Sequence, residues 1–195
     1  MIGNLRTFIL PYSTRFYATH LEGFFNLECY RLGCFVNTPS RVELSKELVE
    51  KYKEFLVEDS SQKNVQVYTL QNAEQLRNER AAGLLRGLVH LRGGAKMAAF
   101  GADVSPKVIV FAGMSSANPC FNNLYIGDGE RPKLNVDLLK ELAEDYKDKL
   151  QTPVCIGIRT GYLENEAEVK ALNGDTFIVD SPIKIVEMFV DKYLK

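Results

Sequence analysis

RNERAAGLLRGLVHLRGGAKMAAFGADVSPKVIV, residues 77–110, changes its hydrophobic period within a single stretch. Its first half continues from Leu76 and places Ala81, Leu84, Leu85, Leu88 and Leu91 at the spacing of an amphipathic helix. Asn72, followed three residues later by Gln75, is a capping-box pattern that opens this helix. Gly93 and Gly94 are expected to stop it, because glycine adopts the left-handed conformation of a C-cap at little steric cost. The stretch then runs into KVIVFAGM, residues 107–114, which reads as a buried strand. A helix feeding a buried strand points to a mixed fold.

The rest of the chain repeats the alternation. Residues 15–36 alternate in part and are rich in Phe, Tyr and Thr, which predicts one long strand or two short ones bent at Gly23. Residues 42–56 carry Val42, Leu44, Leu48, Tyr52 and Leu56 at helical spacing with charges between them. VQVYTL at 65–70 and VCIGIRTGY at 154–162 read as strands. Asn135 caps an acidic helix over 136–150, and IKIVEMFVDKYL forms a terminal helix. The order predicts one α+β domain over residues 1–195, an RRM-like or split βαβ sheet with helices packed on one face.

Composition narrows the function classes. Hydrophobic residues at 46% and charged residues at 25% are ordinary for a folded globular chain, so disorder and collagen-like structure are excluded. A net charge of -1 argues against coating nucleic acid by bulk charge, so any such site must come from local asymmetry. That asymmetry exists. No carboxylate occurs between Met1 and Leu21 or between Arg80 and Ala102, and the latter stretch carries Arg80, Arg86, Arg92 and Lys96. Acids collect instead at Glu141, Glu144, Asp145 and Asp148, and at Glu164, Glu166 and Glu168.

Cys29, Cys34, Cys120 and Cys155 form no C-x-x-C pair, and His20 and His90 complete no metal-ligand spacing. No signal peptide is seen, and no apolar run reaches the roughly 18 residues that span a bilayer. A reduced, cytoplasmic setting is expected, with no cofactor. The glycine turn is not a nucleotide P-loop, since Lys96 lacks a following Ser or Thr and the turn follows a helix. It is either a C-cap, with Arg92 and Lys96 answering the helix dipole, or a place where backbone approaches phosphate while those two side chains supply charge. Asp103, Asp128 and Glu130 offer carboxylates to a cation, although acids in such turns are ordinarily turn formers. No nucleophile motif appears, so no catalytic residue is assigned.

Three segments, in order, resemble a known family: PYSTRFYATHLEGFFNLECYRLGCF, the opening stretch above, and NPCFNNLYIGDGERPKLNV. They are similar to the Cas-seven (DevR) family, the backbone subunit of CRISPR Cascade surveillance complexes in antiviral defense. LECYRLG, residues 27–33, and GGAKM carry the likeness, which covers residues 10–135. It implies a modified RRM-like palm and a non-catalytic role. Copies would lie side by side along a guide RNA (crRNA), holding its sugar-phosphate backbone and leaving the bases to pair with target DNA. By that likeness Arg92, Gly93, Gly94 and Lys96 lie beside phosphates, with Arg15 and Tyr17 as further RNA contacts. The apolar residues Met97 to Phe100 are not assigned. Against the family pattern the chain is expected to lack an opening strand and a finger-like insertion, and so to be the C-terminal part of a larger palm.

Two rivals remain open from the residues alone. One is a small α/β enzyme with a pocket formed by the loop 115–133, using Cys120, Asn122 or Asp128. The other is a protein-binding module that uses the acidic helix.

Overall fold

The computed structural model describes residues 20–61, 63–92, 103–126 and 131–194. Arg15, Tyr17, Gly93, Gly94, Lys96, Asp128 and Glu130 lie outside those residues.

The decisive strand is β8 (Val154–Ile158), in which all five residues are buried. It pairs antiparallel with β5 (Val108–Phe111) and parallel with β9 (Phe177–Asp180), giving the order β5-β8-β9. Side chains alternate along a strand. Val154, Ile156 and Ile158 enter a core with Leu134, Val136, Leu139, Ala143, Leu163 and Val169. Those residues include the inner positions of α3 (Val136–Asp145) and α4 (Glu166–Lys170). Cys155 enters a second core with Ile109, Phe111, Ile185, Val186 and Phe189. This core joins α5 (Pro182–Tyr193) to Ala82, Leu85 and Val89 of α2 (Ala73–Val89).

The α+β class holds, but helices cover both faces of this sheet and not one. The physical reason is in VCIGI itself: a strand apolar at every position must be covered on both sides. Cys155 carries the mark of this burial, which pushes its thiol up to about 12. At Gly157 the two layers meet most closely. A methyl group there would lie 2.6 Å from Pro182 Cα and 2.7 Å from Ile109 Cγ2.

A second sheet, β2-β1-β4-β3, is antiparallel throughout and comes from the earlier part of the chain. It contains β1 (Cys34–Thr38), β2 (Arg41–Val42), β3 (Leu56–Asp59) and β4 (Gln66–Leu70). The Asn37 side chain closes the turn after β1, accepting from the Glu43 and Leu44 amides at 2.9 and 3.0 Å and donating to the Leu44 carbonyl at 2.8 Å. Of the strand expected over 15–36, residues 15–19 lie outside the described residues, and β1 takes up only the end of the remainder. Residues 20–28 take no regular structure, and Cys29–Arg31 form a 3-10 turn. Gly33, at φ +75, then redirects the chain into β1.

The helix expected over 42–56 is reduced to α1 (Lys46–Lys51), capped by the Ser45 hydroxyl, followed by a 3-10 turn. Leu56, the last of its inward positions, instead opens β3 opposite Leu70. Pairing with β4 outweighed the helical period. The sequence reading also missed α4, β9 and a small pair, β6 (Tyr125–Ile126) with β7 (Lys133–Leu134).

Gly157 and the α2 glycines make opposite predictions. Gly157→Ala should cost about 1–3 kcal/mol, because the clash falls on backbone and packed methyl groups. At Gly83 and Gly87 an added methyl meets nothing within 4 Å. Each Gly→Ala change there should raise stability by about 1 kcal/mol through helix propensity. Urea unfolding of the three variants checks both signs.

Candidate nucleic-acid interface

The basic stretch maps onto α2 and its exit, and the helix disposes of its arginines unequally. Arg77 points back at the turn before β1, where its guanidinium donates to the carbonyls of Leu32 at 3.1 Å and Tyr30 at 3.0 Å. Arg86 reaches α5 and grips Glu187 through both nitrogens, at 2.7 to 3.1 Å. The Arg86 hydrogen bond holds the Glu187 carboxyl below its usual range, with the Arg86 and His90 charges adding to the effect. Arg80 and Arg92, both exposed, make no hydrogen bond or ion pair among the described residues. Of the four cations in the basic stretch, Glu187 takes Arg86, Lys96 lies outside the described residues, and Arg80 and Arg92 are left without a partner among those residues.

The helix also ends earlier than expected. Its C-cap is His90, at φ -108 and ψ 21, and Leu91 follows with its amide on the Leu88 carbonyl. Helix termination is therefore complete before Gly93. At the other end Asn72 makes no side-chain cap, and Gln75 donates to Glu79 at 2.8 Å instead of closing a capping box. Arg92 stands just past a helix C-terminus, where the dipole favours a cation.

The other candidates are tied down elsewhere. Asp103 accepts from Lys107 and from Ser105, whose hydroxyl lies at 2.6 Å, and these bonds hold its carboxyl far below the usual range. It is a turn former, as its surroundings suggested. Among the described residues no three His, Cys, Asp or Glu side chains are placed to hold a metal ion. His20 shares a hydrogen bond of 2.8 Å with the Tyr162 hydroxyl, the rings meeting edge to face.

That contact begins a strap. Glu22 accepts from the Leu124 amide and Asn26 donates to the Ala117 carbonyl, so residues 20–26 lie along the loop 115–126. In that loop Cys120 sits 3.5 Å from the Met114 sulfur, and burial raises its thiol pKa. The loop lines neither of two surface grooves. One, of about 720 Å³, lies on the four-stranded sheet between Lys46, Lys63, Gln66 and Tyr68. The other, of about 430 Å³, is bounded by Glu74, Glu79 and Leu194.

Comparison with protein-family models, curated proteins and solved structures finds no match. The reading of this surface therefore rests on its own chemistry. Among the described residues Arg80 and Arg92 stand without a partner at a helix face and its exit, and the acidic segments lie elsewhere: α3 and α4 cover the opposite face of the β5-β8-β9 sheet. No helix among the described residues is long and apolar enough to cross a membrane.

Arg86 and Glu187 supply a pH test of this electrostatic arrangement. A carboxylate whose pKa is lowered on folding stabilises above its unfolded value, near 4.3 for Glu. That contribution is lost as pH falls through the folded value. The melting temperature of Glu187→Gln should thus lie below the parent's at neutral pH, and the gap should close under acid conditions in a pH series of thermal melts.

Proposed function

We propose that the protein is a non-catalytic guide-RNA-binding subunit of a CRISPR interference complex, as its resemblance to the Cas-seven (DevR) family implies. In this reading it acts in the cytoplasm and assembles with further copies of itself and with sister subunits. It meets target DNA only through the guide's base pairing. The supporting observation is the end of α2. His90 already closes the helix, so Gly93 and Gly94 are not needed as its stop. Arg92 beside them is exposed and has no partner among the described residues. A glycine pair released from capping, flanked by Arg92 and Lys96, suits close approach to a sugar-phosphate backbone. Recognition of that kind reads charge and shape and leaves base edges free.

The protein should carry RNA through purification, seen as excess absorbance at 260 nm. It should bind single-stranded RNA with little sequence preference and with strong salt dependence. Arg92→Glu combined with Lys96→Glu should weaken binding by roughly tenfold or more in a salt titration. Equal affinity of parent and double variant would remove the turn from the site.

A further inference from the structure

We infer that the outer face of α2 is a track for the RNA sugar-phosphate backbone, leading away from the turn that follows Arg92. This inference rests on the RNA-binding reading above and extends the contact to residues that reading did not include. At about 100° per residue, Gly83, Leu84 and Gly87 project within about 60° of Arg80, and Leu91 follows just past the C-cap of the helix. All five are exposed, Leu84 at 44% and Leu91 at 46%. The helical face from Arg80 to Gly87 is about 10 Å long, and Leu91 and Arg92 extend it past the helix end, enough for more than one phosphate of a single strand.

Three observations select this occupant. First, the charge is complementary and uncancelled. Arg80 opens the face and Arg92 closes it, neither engaged among the described residues, while Arg77 and Arg86 are held by other partners. Second, the carboxylates nearest the face are already engaged. Glu79, at its edge about 100° from Arg80 and about 40° from Gly83, accepts from Gln75, and Glu187 is taken by Arg86. Third, the centre of the face is bare backbone. Among the described residues nothing lies within 4 Å of where side chains at Gly83 and Gly87 would be, so the helix carries two unfavourable interior residues that no described neighbour requires. An extended, negatively charged chain fits that relief: its phosphates reach the arginines at either end, and its sugars lie over the glycines against Leu84 and Leu91.

The test uses the full-length protein and a fluorescein-labelled oligouridylate, with anisotropy followed across a KCl series. Arg80→Glu should weaken binding roughly tenfold and reduce the magnitude of the log-log salt slope by about 0.7, the share of one phosphate contact on a single strand. Its melting temperature should match the parent's, because Arg80 has no partner among the described residues. Gly83→Ala with Gly87→Ala should raise the melting temperature and yet weaken RNA binding. A merely structural role for the helix does not produce that pairing. Lys140→Glu, on α3 across the sheet, should change neither affinity nor slope. If Arg80→Glu keeps the parent's affinity and slope while Arg92→Glu with Lys96→Glu loses binding, the track is wrong and the turn stands. If the alanine pair binds as tightly as the parent, close approach to the glycines is wrong. If the parent binds no oligouridylate at any salt concentration, both readings fall together.

Discussion

Burial of β8 on both faces is the constraint from which the rest of the structure follows. A five-residue strand with no polar side chain has no face to offer water. It therefore demands two cores, and the chain supplies them from different places. Leu134, Leu139 and Val169 close one side, while Ile185, Val186 and Phe189 close the other. Gly157 allows the closest contact between β8 and α5, and α5 in turn fixes α2 through Val89, Leu85 and the Arg86–Glu187 pair. The position of the basic helix is thus set by the hydrophobic demand of a strand that carries no charge.

α2 also ties the two sheets together. Its first turns hold the four-stranded sheet, with Arg77 on the Tyr30 and Leu32 carbonyls and the Leu76 side chain over Gly33. Its last turns lie on α5. Between those attachments one stripe of the helix is left to solvent. A near-neutral molecule acquires a basic surface by such subtraction. The exposed Arg86–Glu187 pair adds little to stability, but it removes two charges from the field that a ligand would meet. What counts at the surface is the set of cations whose partners are absent.

This explains which parts of the site could be read without coordinates. Periodicity located α2, and the charge gradient located the basic stretch, because both depend on residues close in sequence. The fate of Arg77 is decided by carbonyls 45 and 47 positions away and that of Arg86 by a carboxylate 101 positions away, while Arg80 meets no such partner among the described residues. No local pattern encodes them. The same reason accounts for Leu56, which suits a helix by spacing but was claimed by Leu70 across a strand pair. It accounts for Gly93 as well: a glycine after a helix looks like a stop, and only the cap geometry at His90 shows the stop to be already in place.

The sequence by itself determined that the chain folds, that it is α+β, where its longest helix and its most apolar strands lie, and that its charge is unevenly distributed. Those properties follow from composition and short-range period, which act before any tertiary contact forms. The tertiary structure alone decided that helices cover both faces of the β5-β8-β9 sheet and that the acidic α3 and basic α2 lie on opposite sides of it. It also decided that Arg80 and Arg92 are left without a partner among the described residues. Each of these depends on which distant groups meet when two separate cores close around one strand.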